Sequence, residues 1–344
     1  SSPAISFAQT NLNSVLSLQQ PSWLDSITLQ LNYQILNFEL EQYSTDLIID
    51  NLTVSGGNLI DPIQLADFFL VDTKSPMLIG LTPSEPVLTD DEVAFGYSIE
   101  LQMSETCNSS LNPVINFSGA NYTNSSLNLN QSLSEWNSDS SYVAFFNVID
   151  FDEEVDSIFA MISNIEDSYG NPIIALVDSF IGKIDTKNPK VINIDLSDTL
   201  LNINDQQSNP LFDINVIFDE DMDTSYNPIF TFYNNGVAHN SFIVNPSTGY
   251  WIDSTQYIFQ TQVLFDTNNL IGLDLACLTA RDSNGNSIQD TLHADVAWSD
   301  MKRPTVTSLL PNRTLISDSL IGNGQYYIDI LFDEPMDLSA LPLS

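Results

Sequence analysis

The side chains best equipped for chemistry in this chain are carboxylates, and they return in short acidic words. Phe218-Asp219-Glu220-Asp221-Met222-Asp223 recurs as Phe332-Asp333-Glu334-Pro335-Met336-Asp337. A second word is Ala280-Arg281-Asp282-Ser283-Asn284-Gly285-Asn286, and single aspartates, Asp185 and Asp300, each precede a Lys and a Pro. Oxygen donors gathered without His or Cys suit a hard cation, and Ca²⁺ takes about six to eight oxygens in the irregular geometry that loops provide. The candidate metal ligands are Asp185, Asp219, Glu220, Asp221, Asp223, Asp282, Asn284, Asn286, Asp300, Asp333, Glu334 and Asp337. The expected cofactor is Ca²⁺ at domain junctions. Two competing readings stay open: Asp and Asn bond their own backbone in Asx-turns, and Lys74, Lys183, Lys187, Lys190, Lys302 and Arg303 can pair with the acids. A third equivalent set, Asp72, Glu105 and Asp167, is poorer in acids, and a metal is less expected there. Asp150, Asp152, Glu153, Glu154 and Asp156 start like an EF-hand loop but lack its Gly and closing Glu, so they read as an exposed loop.

Other chemistry is poorly represented. With 8 Lys+Arg against 45 Asp+Glu, the net charge is −37, which excludes binding nucleic acid by phosphate neutralisation. No phosphate loop, dinucleotide fingerprint, nucleophile elbow or zinc-protease motif occurs. Acids are so abundant that any one pair is weak evidence for a glycosidase, and an enzyme is not expected. Cys107 and Cys277 are too few for a disulfide scaffold and read as small buried residues. No apolar stretch is long enough to span a membrane.

The acidic words belong to an internal repeat. Asp72-Thr73-Lys74-Ser75-Pro76, Asp185-Thr186-Lys187-Asn188-Pro189 and Asp300-Met301-Lys302-Arg303-Pro304 place their prolines 113 and then 115 residues apart. Trp23, Trp136 and Trp251 keep the same period, as do Gly57-Asn58, Gly170-Asn171 and Gly285-Asn286. So do Pro3-Ala4-Ile5-Ser6-Phe7, Pro113-Val114-Ile115-Asn116-Phe117 and Pro228-Ile229-Phe230-Thr231-Phe232. Five landmarks in one order define a tandem array of about 114 residues per repeat. The expected domains are 1–72, the last two-thirds of a repeat; 73–185 and 186–300, both complete; and 301–344, the first third of another.

Short runs position these words. Lys190 to Leu196 and Phe212 to Phe218 alternate apolar and polar residues, as strands with one buried face do. Further strands are expected at Ile229 to Tyr233, Ser241 to Val244, Gln256 to Phe265, Leu270 to Thr279 and Leu292 to Trp298. About seven strands separated by Asn, Asp, Ser, Gly and Pro, without helical periodicity, predict an all-β fold, a seven-strand β-sandwich. The order of Asp-x-x-x-Pro, Phe-Asp-Glu-Pro-Met-Asp, Trp, Tyr and Ala-x-Asp-x-x-Gly-Asn resembles the bacterial immunoglobulin-like domains of surface-layer proteins and giant surface adhesins. That resemblance implies tandem immunoglobulin-like sandwiches. The copy at 73–185 departs from it, with Thr106, Cys107 and Asn108 at the corner.

In such a sandwich the corner and turn words lie at the pole where the chain enters, so their acids are expected to converge beside the linker Asp. The expected function is a structural segment of a long extracellular filament, stalk or adhesin, with the repeats as rigid spacers in cell-surface attachment. The alternative is a module that binds carbohydrate or protein through its loops. Expected partners are neighbouring repeats of the same chain and copies of itself: 1–72 lack the first two strands of a repeat, and 301–344 supply those two. The three tryptophans read as core or edge packing more than as ligand platforms.

Overall fold

In the computed structural model, the alternating runs become paired strands. The structure describes residues 4–8, 12, 15–36, 39–123, 125–174, 179–208, 211–239, 242–244, 249–263, 271–289, 291–322 and 326–339. The chain divides into two compact units, Ser1–Lys187 and Asn188–Ser344. Both are built from β-sheets, and the all-β prediction holds.

The first unit has two apolar cores. The smaller lies under a three-stranded antiparallel sheet ordered Ala4–Phe7, Glu41–Asp50, Ile63–Asp72. Phe7, Leu12 and Leu47 form its buried centre, and the Phe7 ring meets Tyr33 and Phe69 at 5.6 and 5.5 Å. Beside it stand two short pairs, Leu16–Leu18 with Tyr33–Ile35 and Ser22–Trp23 with Leu29–Gln30.

The larger core lies between two sheets. One is ordered Leu127–Leu129, Ser141–Val148, Tyr97–Met103, Leu78–Pro83, with Glu135–Ser138 also paired to Ser141–Val148. The other is ordered Val114–Ser118, Glu154–Ser163, Ser179–Asp185, Val87–Leu88. Its last pairing is parallel, with Lys183 opposite Val87 and Ile184 opposite Leu88. Tyr97–Met103 shows the two-residue period at full strength: Tyr97, Ile99, Leu101 and Met103 are buried while their neighbours face outward. Trp136 and Tyr142 pack edge to face at 5.3 Å, and the Trp136 indole N–H donates to the Leu111 carbonyl at 2.9 Å.

The second unit repeats this plan. One sheet is ordered Val191–Leu196, Leu211–Phe218, Gln256–Val263, Phe242–Val244, with Tyr250–Trp251 added to Gln256–Val263. The other is ordered Leu200–Asn202, Thr291–Asp300, Ile271–Thr279, Ile229–Asn234, Val237–Ala238, and its first pairing is again parallel. Trp251 repeats the placement of Trp136, 5.0 Å from Tyr257 and donating to the Tyr226 carbonyl at 3.1 Å. Trp23, by contrast, is exposed. A two-stranded hairpin, Val306–Pro311 with Ile328–Phe332, completes the unit.

Strand positions agree with the sequence reading to within a few residues; the expected ends at Ser241, Phe265 and Leu270 lie outside the described residues. Two short helices, Asp90–Phe95 and Ile203–Ser208, were not expected. The first has a capping box: Asp91 N donates to Thr89 Oγ1 at 3.3 Å and Thr89 N donates to Glu92 Oε2 at 2.7 Å.

Candidate metal centre

In the first unit the strand Ile63–Asp72 ends on a carboxylate. Asp72 Oδ1 accepts from Lys74 N at 3.0 Å, and Thr73 N donates to Leu40 O at 2.8 Å, which fixes the exit of the chain. Glu105 stands just past the strand Tyr97–Met103, where Ser104 N donates to Met77 O at 2.8 Å and Met77 N donates to Ser104 Oγ at 2.9 Å. Asp167 comes from a tight turn closed by Gly170 at φ 93°. Its carboxylate accepts from Tyr169 N and Asn171 N, both at 2.8 Å, and from Asn171 Nδ2 at 2.6 Å. Asn171 Nδ2 also reaches Asp72 O at 3.3 Å and so ties the turn to the strand end.

Asp72, Glu105 and Asp167 each offer an oxygen, all within 4.8 Å of one another. They line a cavity of about 300 Å³ together with Glu41, Lys74 and Tyr169. Lys74 Nζ lies 3.2 Å from Glu41 Oε2 and 4.0 Å from Glu105 Oε1. One ammonium therefore shares the cavity with four acids. Burial, with the nearby charges of Asp167 and Glu41, pushes the Asp72 carboxyl above the usual carboxylate range. Burial likewise raises Glu105, against the pull of Lys74. Glu105 Oε1 is occluded from solvent and accepts no hydrogen bond among the described residues.

These residues fit a hard divalent cation. The donors are carboxylate oxygens without His or Cys, the acids sit close enough to share one ion, and the occluded Glu105 Oε1 accepts no hydrogen bond among the described residues. The sequence ranks this set below the other two, yet its three acids come together. The replaced corner residues Thr106, Cys107 and Asn108 are not the ones that meet; the retained Glu105 is. Cys107 is buried, its thiol pushed up to about 11 by burial.

The corner and turn positions recur in the second unit, and the twelve predicted ligands divide by what they touch. Glu220 and Asp282 offer oxygens within 4.8 Å of each other. Asp282 is buried and accepts from Asn284 N, Gly285 N and Asn286 N at 2.8, 2.6 and 2.9 Å, and from Asn286 Nδ2 at 2.8 Å. Asn284 and Asn286 thus act as donors to the acid. Asp219 Oδ1 accepts from Lys190 N at 2.7 Å, and Asp221 Oδ1 accepts from Ser254 Oγ. Asp223 faces Arg281, whose Nη2 lies 2.7 Å from Oδ2, and also accepts from Ser225. Asp185 closes the strand Ser179–Asp185, buried, with Oδ1 accepting from Lys187 N at 3.3 Å.

In the third set Asp333 is held by Lys302 Nζ at 2.8 Å and by Thr305 N at 2.7 Å, which drive its carboxyl far below the usual range. Asp337 accepts from Ser339 N at 2.8 Å. Asp300 Oδ1 and Glu334 Oε1 are occluded and accept no hydrogen bond among the described residues. Both residues line one cavity of about 320 Å³ with Lys302 and Arg303. Asp219, Asp221, Asp223, Asp333 and Asp337 take part in the turn hydrogen bonds and salt bridges weighed above. Glu220 and Asp282 bring oxygens close together, and Asp300 and Glu334 carry occluded oxygens beside one cavity. Of the acids expected in an exposed loop, Asp150 and Asp152 are exposed and outside any strand, Glu153 is half-buried, and Glu154 and Asp156 belong instead to the strand Glu154–Ser163.

No protein-family model matches the chain, and no curated protein matches it. Among solved structures, one of a 1.5-MDa bacterial ice-binding adhesin, concerned with host cell surface retention, aligns over 80% of this chain and 80% of that chain, at 13% identity and a TM-score of 0.41. A chicken TCR aligns over 62% of this chain and 98% of its own, at 9% identity and a TM-score of 0.22. An endo-fucoidan hydrolase of glycoside hydrolase family 107 aligns over 87% of this chain and 38% of its own, at 13% identity and a TM-score of 0.22. Likenesses this distant carry no argument about what the chain does.

Proposed function

We propose that this chain is a structural segment of an extracellular filament, stalk or adhesin, in which β-sandwich repeats act as rigid spacers in cell-surface attachment and Ca²⁺ stiffens the junctions. One observation carries the reading. Where the strand Ile63–Asp72 passes into the next sheet, its last carboxylate meets a corner glutamate and a turn aspartate within 4.8 Å, and the words that build this junction recur through the sequence. A cation there would bond residues on both sides of the passage and so resist bending. It would also offset part of the −37 charge. The indole N–H groups of Trp136 and Trp251 are spent on backbone carbonyls, which disfavours those two rings as ligand platforms.

The test has two arms. Antibodies against residues 73–185 should label intact cells of the source organism, and the purified chain should bind no member of a glycan array. Intracellular staining alone, or saturable glycan binding, would overturn the spacer reading.

A further inference from the structure

We infer that Asn116 carries an N-linked glycan, and that this glycan lies over the apolar sheet face beside it. The inference rests on the extracellular reading proposed above, since sugars are joined to Asn-x-Ser/Thr on chains that leave the cell. Asn108, Asn116, Asn121, Asn124 and Asn130 each begin that acceptor sequence, all within the repeat 73–185. The equivalent stretch of the next repeat, 223–247, holds Asn227, Asn234, Asn235, Asn240 and Asn245 but no acceptor sequence. At Asn245-Pro246-Ser247 a proline in the middle position blocks it.

The fold singles out Asn116. It is exposed at the centre of the strand Val114–Ser118, whose Ile115 and Phe117 pack against the core. Asn130, by contrast, donates its amide to Asn147 Oδ1 at 3.1 Å, and Asn108 Oδ1 accepts from Ser110 N at 3.2 Å. Two features of the Asn116 strand lack cover. Val114–Ser118 is the edge of its sheet among the described residues, whereas its counterpart Ile229–Asn234 is flanked by Val237–Ala238. Its outward face is also apolar: Asn116 stands opposite Met161, Ser118 opposite Phe159, and Phe159 opposite Phe180. The two rings meet at 5.9 Å, and Val114, Met161 and Phe180 are 45, 45 and 58% exposed.

Where the acceptor is missing, its large neighbours across the strand are missing too. In the second unit Thr231 takes the place of Asn116 and faces Ala276, while Asp274 takes the place of Phe159 and accepts from Asp295 N at 2.9 Å. Val114 keeps an apolar counterpart there, Ile229. A pyranose ring has an apolar C–H face as well as hydroxyls, so a glycan rooted at Asn116 covers Met161 and the phenylalanines while it offers polar groups to water. Its bulk also bars another edge from pairing with Val114–Ser118. In the transfer, Asn116 Nδ2 bonds to the anomeric carbon of an oligosaccharide carried on a lipid phosphate. The anomeric C–O bond breaks, the lipid phosphate leaves with the electron pair, and the amide proton passes to a base of the transferase.

The experiment isolates the protein from cells of the source organism, cleaves it at acidic residues and reads the peptide containing Asn116 by mass spectrometry. A glycopeptide whose fragments lose successive sugars is expected. Ser118→Ala, at an exposed position that leaves Asn116 in place, should lose the glycan, and Ser118→Thr should keep it. Hydrogen peroxide then probes the cover: Met161 should oxidise roughly threefold faster in Ser118→Ala than in the parent, while Met77, 49% exposed, keeps its rate. An unmodified Asn116 in protein recovered from the cell surface overturns the inference and leaves the extracellular reading standing; protein found only inside cells overturns both. A glycan at Asn116 with equal Met161 rates in parent and Ser118→Ala overturns the cover.

Discussion

Replacing Glu105 by Gln should reverse the order of stability between calcium and EDTA. Without metal, Glu105 faces Asp72 and Asp167 across at most 4.8 Å. At an effective dielectric of about 20, each contact at that distance repels by about 3.5 kcal/mol. Lys74, 4.0 Å away, returns about 4 kcal/mol on the same scale. The balance is about 3 kcal/mol of strain, which solvent screening at these partly exposed groups reduces to about 1 kcal/mol. In EDTA the neutral variant should therefore melt about 2–4 °C above the parent. Calcium at a hundredfold excess over its Kd should stabilise the parent by about 2.7 kcal/mol, or roughly 5–11 °C, and the variant much less. Scanning calorimetry reads the melting, and amide exchange across Asp167–Asn171 localises the effect to this turn. The pH dependence gives a further check. Asp72 and Glu105 both titrate higher in the fold than in the unfolded chain. Between the two values the native state therefore holds more protons, and this contribution to stability, present at low pH, is lost as pH rises through the folded values. The parent in EDTA should show that loss, the variant less of it, and the calcium form none. Identical parent curves in calcium and EDTA, or a variant that falls below the parent in both, would refute the reasoning.

Asn286→Ala should cost about 1–3 kcal/mol by urea denaturation, because it strips a buried amide donor from buried Asp282. Gly170→Ala should cost about 1–2 kcal/mol through left-handed backbone strain alone, since a Cβ there meets nothing within 4 Å. Trp136→Phe should lose about 1 kcal/mol with the indole bond to Leu111 O, read by the same denaturation. Cys107 and Cys277 are buried, so neither should react with a thiol reagent until the protein unfolds; prompt labelling of the native chain would contradict the packing.

The fold was largely legible because sandwich strands bury one face. Tyr97–Met103 and Leu211–Phe218 carry strict alternation, and no rival period competes with it. The helix Asp90–Phe95 escaped because six residues are too few to display a helical period. Its signal was local instead, the Thr89-Asp90-Asp91-Glu92 capping box that stands plainly in the sequence. The candidate metal centre was half legible. Composition indicated where acids would gather, but not which would be spent on their own turns. Asp223 was claimed by Arg281, 58 residues later, and Asp333 by Lys302. That Glu105 meets Asp72 and Asp167 was hard to read because its neighbours had drifted from the repeated word, although Glu105 itself had not.

The parallel pairing of Val87–Leu88 with Ser179–Asp185 has a mechanical meaning. One strand lies near the start of its sandwich and the other ends it. A pull applied at residues 73 and 185 draws the two strands past each other along their length, so their hydrogen bonds are loaded together in shear and cannot be peeled one at a time. Leu200–Asn202 against Thr291–Asp300 has the same geometry. A pull on the two ends of either sandwich would therefore load its parallel pairing in shear.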